Sequence, residues 1–276
     1  VRTIQAALKD KGFYKGQVDG IAGELTKKAV KAFQAQNGLK VDGIVGPNTL
    51  KVLFPANKAV AAIPAVEGSL LTAAMLKRMW PNGRPEFIAG VAASAGTVLP
   101  LHGVTTKVRL LQLMTQISHE CGGGRIAEEN LNYSKASRIA QVWPSRFTTA
   151  SAAPYVMNAR ALANKVYNGR MGNRVGSSDG YDYRGRGLIQ ITGRDGYRSV
   201  GKIAGLDLEK NPALANEPHN LLLVACAFWS WKGLNALCKD TSDSTLVAIT
   251  KRVNGGTNGL TDRRDWYAKW KRELGL

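Results

Sequence analysis

Three carboxylates fall within ISHECGGGRIAEENLNYS (117–134): Glu120, Glu128 and Glu129. Two carboxyl groups facing each other across a bond can divide acid and base work. One gives a proton to the leaving oxygen and the other activates a water. Glu120 closes an apolar-periodic run, where the negative end of a helix dipole disfavours a further negative charge. That placement suits a group that must carry a proton before giving it away. Gln116, four residues earlier, shares its face. If the helix continued, Glu129 would lie half a turn out of phase and about 13 Å further along the axis. Gly122-Gly123-Gly124 interrupts that path and lets the chain fold back. The spacing therefore permits Glu120 to face Glu129, with Glu128 as the alternative base. It equally permits a capped helix followed by a solvated acidic loop.

Two further segments carry groups suited to sugars. YDYRGRGLIQITGRDGY (181–197) sets Tyr183, Gln190 and Thr192 among glycines, which allow close backbone approach to a ligand. Read as a short extended segment, GLIQITG puts Gln190 and Thr192 on one face. RVNGGTNGLTDRRD (252–265) repeats the theme with Asn254 and Arg263. Cys121 follows Glu120 directly, but no feature marks a histidine base for it, so it reads as a small packing residue.

The elements that must position these groups are mostly helical. SLLTAAMLKRMW reads as a helix stopped by Pro81-Asn82-Gly83. VTTKVRLLQLMTQISHE is a second, with Leu110, Met114, Ile117 and Cys121 along one face. LLLVACAFWSWKGL (221–234) is apolar nearly all round, the mark of a central buried helix. DSTLVAITKRVN and TDRRDWYAKWKREL are two more. Strand patterning is scarce, so the expected fold is mainly α, with at most a short β element.

Nearer the N-terminus, VDGIAGELTKKAV (18–30) and VDGIVGPNTLKVL (41–53) repeat one turn-then-helix pattern at an offset of 23 residues. Residues 1–54 therefore read as a small helical domain. Residues 55–67, rich in Ala and Pro, read as a linker, and residues 68–276 as the larger domain.

The net charge is +18, and Lys/Arg exceed Asp/Glu by 10 to 4 over residues 1–60 and by 28 to 16 over 61–276. Such a spread favours a polyanionic partner or an anionic surface. Nucleic acid is not expected, because no basic-aromatic interleaving or zinc-finger spacing is present. No CxxC or HExxH occurs and the three His are scattered, so neither a metal nor a cofactor is expected. Three cysteines (121, 226 and 238) read as reduced thiols, with a 226–238 bridge left open. There is no long apolar run to span a membrane and no signal-peptide pattern.

Residues 1–54 resemble the three-helix peptidoglycan-binding domain of many cell-wall hydrolases, through the paired D-G-I-x-G turns and the helices after them. Residues 68–276 resemble glycoside hydrolase family 19, the chitinase and endolysin family, most strongly in HECGG, ENLNYS, YRGRGLIQITG and VNGGTNG. The branch most similar is that of the phage endolysins. The resemblance implies a lysozyme-like fold and inverting hydrolysis of the β-1,4 glycan of peptidoglycan, with host lysis as the result. It implies Glu120 as general acid, Glu129 as general base and Thr192 as a holder of the attacking water. Tyr183, Gln190, Asn254 and Arg263 become substrate-contacting positions. Chitinases carry a longer insert between their two Glu and a disulfide-rich frame, and the absence of both weighs against chitin. A lytic transglycosylase, a chitinase and a non-catalytic wall-binding protein stay open as rivals. The protein is expected to be a monomer, held in the host cytoplasm until a separate pore-forming protein releases it.

Deleting residues 1–60 should leave activity on soluble glycan fragments and weaken activity on intact sacculi, because tethering raises local concentration only at an insoluble polymer. Turbidity loss of sacculi measured beside fragment release checks this. An equal loss on both substrates would remove the anchor role.

Overall fold

A computed structural model of the chain describes residues 2–19, 21–45, 47–53 and 69–276. The Ala/Pro segment read as a linker lies outside the described residues, as do Gly20 and Gly46 of the two turns.

Helices α1 (Arg2–Asp10), α2 (Glu24–Gln36) and α3 (Pro47–Leu53) make the N-terminal unit. Ile4, Leu8, Val30, Phe33 and Leu53 form its core. The sequence repeat is a repeat of structure held by one buried glutamine per turn. Gln5 Nε2 donates to Asp19 Oδ1 (2.8 Å), the Ile21 carbonyl (3.0 Å) and Thr26 Oγ1 (3.0 Å). Gln34 Nε2 donates to the matching Asp42 Oδ1 (2.9 Å), Ile44 carbonyl (2.8 Å) and Thr49 Oγ1 (3.1 Å). In each turn the aspartate also accepts from the isoleucine N–H, at 2.8 and 2.9 Å. A buried amide encircled by acceptors fixes a loop because leaving any of those groups unpaired is costly.

The larger unit is mainly helical, matching the mainly α expectation. Its elements are α4 (Ala73–Met79), α5 (Pro85–Leu101), α6 (Lys107–Glu120), α7 (Ala136–Val142), α8 (Thr149–Ala152), α9 (Ala159–Tyr167) and α10 (Asp179–Asp182). They continue with α11 (Arg194–Ala204), α12 (Leu221–Trp231), α13 (Asp243–Asn254) and α14 (Leu260–Glu273). As expected, α12 is central: every residue from Leu221 to Trp229 is buried. It packs against α5 and α11. Helix α5 begins with Pro at its first turn, where a missing N–H costs nothing. Its Gly90 meets the Pro218 carbonyl so closely that a Cβ would sit 2.1 Å away.

Helix α6 starts from Thr106, whose side chain accepts from the Arg109 N–H. The expected face of Leu110, Met114, Ile117 and Cys121 is fully buried, each side chain contributing about 1.5–3 kcal/mol. Burial goes further than periodicity implied, because Leu110 to Ser118 are all enclosed. A second small core of Leu131, Ile139, Phe147, Leu162 and Val166 gathers α7, α8 and α9 into a lobe.

One expectation fails. GLIQITG is not a strand: Arg186 and Ile191 pair across a tight turn as an isolated bridge, and Arg186 bridges Glu128 on its other side. Gly187 at φ +74° and Gln190 at φ +54° are left-handed, which an extended segment does not allow. Among the described residues no helix is long and apolar enough to cross a membrane.

Replacing Gln34 with Ala should loosen its turn by about 2 kcal/mol, since the Gly43 N–H loses its acceptor. Hydrogen exchange at the Gly43 amide should speed by about thirty-fold. The Gly187 amide, bonded to the Ala127 carbonyl, should be unchanged.

Candidate active site

Helix α6 ends at Glu120, and the chain reverses through three left-handed glycines in succession, with φ of +56°, +68° and +79°. The Gly123 N–H reaches the Ser118 carbonyl (2.8 Å), and the Arg125 and Ile126 N–H groups reach the Cys121 carbonyl (2.9 and 3.0 Å). These bonds satisfy the helix end. Side chains are excluded as well: a Cβ on Gly124 would lie 2.7 Å from the Trp80 ring, and one on Gly123 3.0 Å from Trp266. Both Trp80 and Trp270 donate their indole N–H to Ser118 Oγ, at 2.9 and 2.8 Å. Cys121 is sealed beneath the turn, and burial pushes its thiol up to about 12. It packs and does not attack.

Glu120 is one-fifth exposed and pairs with Arg263 of α14, whose guanidinium is 1% exposed. Arg263 also donates to Gln116 Oε1, and Gln116 Nε2 donates to Thr250 Oγ1 (3.3 Å). The shared face of Gln116 and Glu120 thus meets a single buried cation. Next to this pair, His119 bonds Asp262, and its ring lies where a Cβ on Gly259 would be, 2.4 Å from Cε1. Two adjacent pairs therefore pin the end of α6 to the start of α14.

Beyond the turn, the chain runs beside the segment 185–187. The Gly187 N–H donates to the Ala127 carbonyl (2.8 Å), and the Glu129 N–H to the Gly185 carbonyl (2.9 Å). The two competing carboxylates then part. Glu128 is paired with Arg184 and with Arg186, whose Nε lies 2.9 Å away. Glu129 is held by neutral donors: the Tyr167 hydroxyl reaches Oε1 (2.6 Å) and the Gly185 N–H reaches Oε2 (3.1 Å). Burial first, and then the Glu129 charge, push the Tyr167 hydroxyl up, so it stays a donor. Glu128, Glu129, Asn130, Asn132, Tyr181 and Arg184 line a cleft of about 300 Å³. The Arg184 and Arg160 guanidiniums lie 4.0 and 4.5 Å from the Tyr181 ring centroid, within cation–π range.

Gln190 comes to this site by a route other than strand alternation. Gln190 Nε2 donates to the Gly187 carbonyl (2.9 Å). Its Oε1 lies 2.8 Å from where a Cβ on Gly185 would stand, and Glu129 Cβ is 3.3 Å from the same point. Gly185 is thus required for Gln190 and Glu129 to meet. Strained left-handed backbone at a non-glycine residue such as Gln190 is a frequent mark of a working site. Thr192 is half-buried, and its hydroxyl donates to the Gln190 carbonyl (3.0 Å).

Three sequence-derived substrate positions have partners within the protein. Tyr183 is buried, its ring packed on Tyr197 and its hydroxyl donating to the Glu209 carbonyl (2.8 Å). Arg263 is enclosed and serves Glu120. Asn254 is exposed but spends its side chain on its own loop, accepting from the Gly256 N–H and donating to the Asn258 carbonyl, both at 2.9 Å. Sequence reading missed Tyr167 as the holder of Glu129 and the Arg184/Arg186 pair as the neutraliser of Glu128. Nothing local in ANKVYNGR signals the first. The second has a weak signal in two arginines alternating with glycines beside a predicted site. Among the described residues no group of three His, Cys, Asp or Glu could hold a metal. All three cysteines are free thiols, so the 226–238 bridge left open above is not formed.

Comparison with known proteins agrees with this architecture. Residues 1–53 match the family model described as a putative peptidoglycan binding domain. Over 54 residues, 20% of this chain and 13% of the other, the chain is 50% identical to the N-acetylmuramoyl-L-alanine amidase CwlM of Mycobacterium tuberculosis. Its fold is similar to that of chitinase C from Streptomyces griseus HUT6037, with a TM-score of 0.51, 18% identity, and coverage of 76% of this chain and 94% of that one. A glycosyl hydrolase family 19 domain-containing protein of Haemophilus influenzae is 34% identical over 186 residues, 66% of this chain and 88% of the relative. The larger unit is a glycoside hydrolase, and the chain belongs to glycosyl hydrolase family 19.

Proposed function

We propose that this enzyme is an endolysin-type N-acetylmuramidase, cutting the β-1,4 glycan of peptidoglycan with inversion. The observation that carries the reading is the contrast between the carboxylates lining the cleft. Glu128 is neutralised by two arginines, while Glu129 faces the cleft under neutral hydrogen bonds alone. A general base must keep a lone pair for water, and a carboxylate clamped by two cations is a poor one. Glu129 is therefore the base and Glu120 the acid.

In the proposed reaction, Glu120 gives its proton to the glycosidic oxygen as the bond to the anomeric carbon breaks. Water enters from the opposite face and loses its proton to Glu129. Thr192, whose own proton is committed to the Gln190 carbonyl, offers its oxygen as an acceptor for that water. Arg263 holds Glu120 at the end of α6, and Tyr167 and the Gly185 N–H fix the aim of Glu129. Inversion requires carboxyl groups about 6.5–9.5 Å apart, to admit the water. The peptidoglycan-binding match at residues 1–53 supports the wall polymer over chitin as substrate. The excess of positive charge suits an anionic envelope. On the same reading the protein waits in the host cytoplasm, passes through a separate pore-forming protein and lyses the cell.

Glu120→Gln and Glu129→Gln should each lower kcat by about 10²–10⁴-fold, whereas Glu128→Gln should cost less than about tenfold and mainly lower Tm. Mass spectrometry of fragments from purified peptidoglycan reads both rate and product. Reducing N-acetylmuramic acid ends are expected, and 1,6-anhydro ends would mean a transglycosylase instead. Proton NMR of the earliest product should show the α anomer. An initial β anomer would replace inversion with a covalent intermediate.

A further inference from the structure

Beside the glycine turn lies a second concavity, of about 730 Å³, outside the carboxylate cleft. Trp80, Gly122, Gly123 and Trp266 wall it, and Arg78, Arg125, Lys269 and Arg272 reach into it. All four cations are exposed. Its one acid, Glu273, is taken by Arg78, whose Nε lies 3.2 and 3.3 Å from the two carboxylate oxygens. Among the described residues, no carboxylate pairs with Arg125, Lys269 or Arg272. The half-buried Trp266 presents a flat wall, with the Lys269 ammonium 4.8 Å from its ring centroid.

The groove adjoins the catalytic machinery. Gly122 is two residues beyond Glu120, so their Cα atoms are at most about 7.6 Å apart. Trp266 lies about one helical turn beyond Arg263. A group that fills this recess would lie close to Glu120. A neutral polysaccharide offers no partner for three unpaired cations. A short peptide with free carboxylates does: arginine forks take carboxylates in bidentate fashion, and an indole face packs against peptide planes and alkyl stems.

We propose that this groove is a subsite for the acidic stem peptide of peptidoglycan, holding its carboxylates while the glycan lies across Glu120 and Glu129. The proposal rests on the peptidoglycan reading above and adds the feature that would distinguish wall polymer from chitin.

The test uses the full chain and the double variant Lys269→Ala/Arg272→Ala. Arg125 is kept because its Nε donates to the Gly122 carbonyl (2.8 Å) and braces the turn. The synthetic tetrapeptide L-alanyl-γ-D-glutamyl-diaminopimelyl-D-alanine is titrated while the Trp266 indole N–H resonance is followed, with Trp266→Phe assigning it. The peptide should shift that resonance in the parent protein, and the double variant should bind about tenfold more weakly. In parallel, kcat/KM is measured on peptide-bearing glycan strands and on strands stripped of peptide. The ratio of the two should fall by about tenfold in the variant, through KM. An unchanged ratio, or a Trp266 resonance that responds to inorganic phosphate and not to the peptide, would overturn the proposal. If the parent protein cut neither strand, the glycanase reading would fail, while the peptide titration would still report on the groove.

Discussion

The reversal of the chain at Gly122–Gly124 is the constraint on which the rest of the catalytic unit depends. Directly after a helix that ends in a carboxylate, the chain can double back at once only if the next residues turn sharply without crowding the turn. Three left-handed residues in a row do this, and only glycine takes that backbone at no steric cost. The turn is held from outside by Trp80 and Trp266, which fill the space a Cβ would need. Ser118 ties Trp80 and Trp270 to the last turn of α6. Two buried indoles are thus joined to the end of α6 through one hydroxyl.

From this turn follows a division of labour among charges. Glu120 is anchored by a cation that is itself almost entirely enclosed. Enclosing a guanidinium is costly unless it is paired, so Arg263 and Glu120 need each other, and Gln116 completes the pairing. Across the turn the logic reverses. Glu129 is aimed by a phenol and a backbone N–H, which orient a carboxylate without cancelling its charge, while its neighbour Glu128 absorbs the two arginines of the YRGRG segment. One residue of register separates a carboxylate met by two guanidiniums from one met by neutral donors alone.

The N-terminal unit solves a smaller problem by the same means. At each turn a buried glutamine from the preceding helix gathers an aspartate, an isoleucine carbonyl and a threonine into one knot. Repeating the knot gives two rigid turns on a domain of little more than fifty residues, where a small core supplies modest stability.

Much of this was legible in the amino-acid order. The helix ending at Glu120, the glycine break, the central apolar helix and the paired N-terminal turns are local patterns, fixed by periodicity and by where glycine is tolerated. The partners of each carboxylate were not legible. Arg263 lies 143 residues from Glu120, Tyr167 lies 38 from Glu129 and Gly185 lies 56 from it, and no local pattern encodes contacts at that range. GLIQITG misled for the same reason. Its alternation suggested a strand, but a strand needs a neighbour to pair with along its length. Arg186 and Ile191 instead close on each other, and the backbone between them turns left-handed. Tyr183 and Arg263 looked like cleft residues by type, yet packing enclosed both. The order of residues determined which groups could do chemistry and where the chain must turn. Folding determined which carboxylate met arginines and which met neutral donors, because burial and long-range pairing are properties of the assembled core.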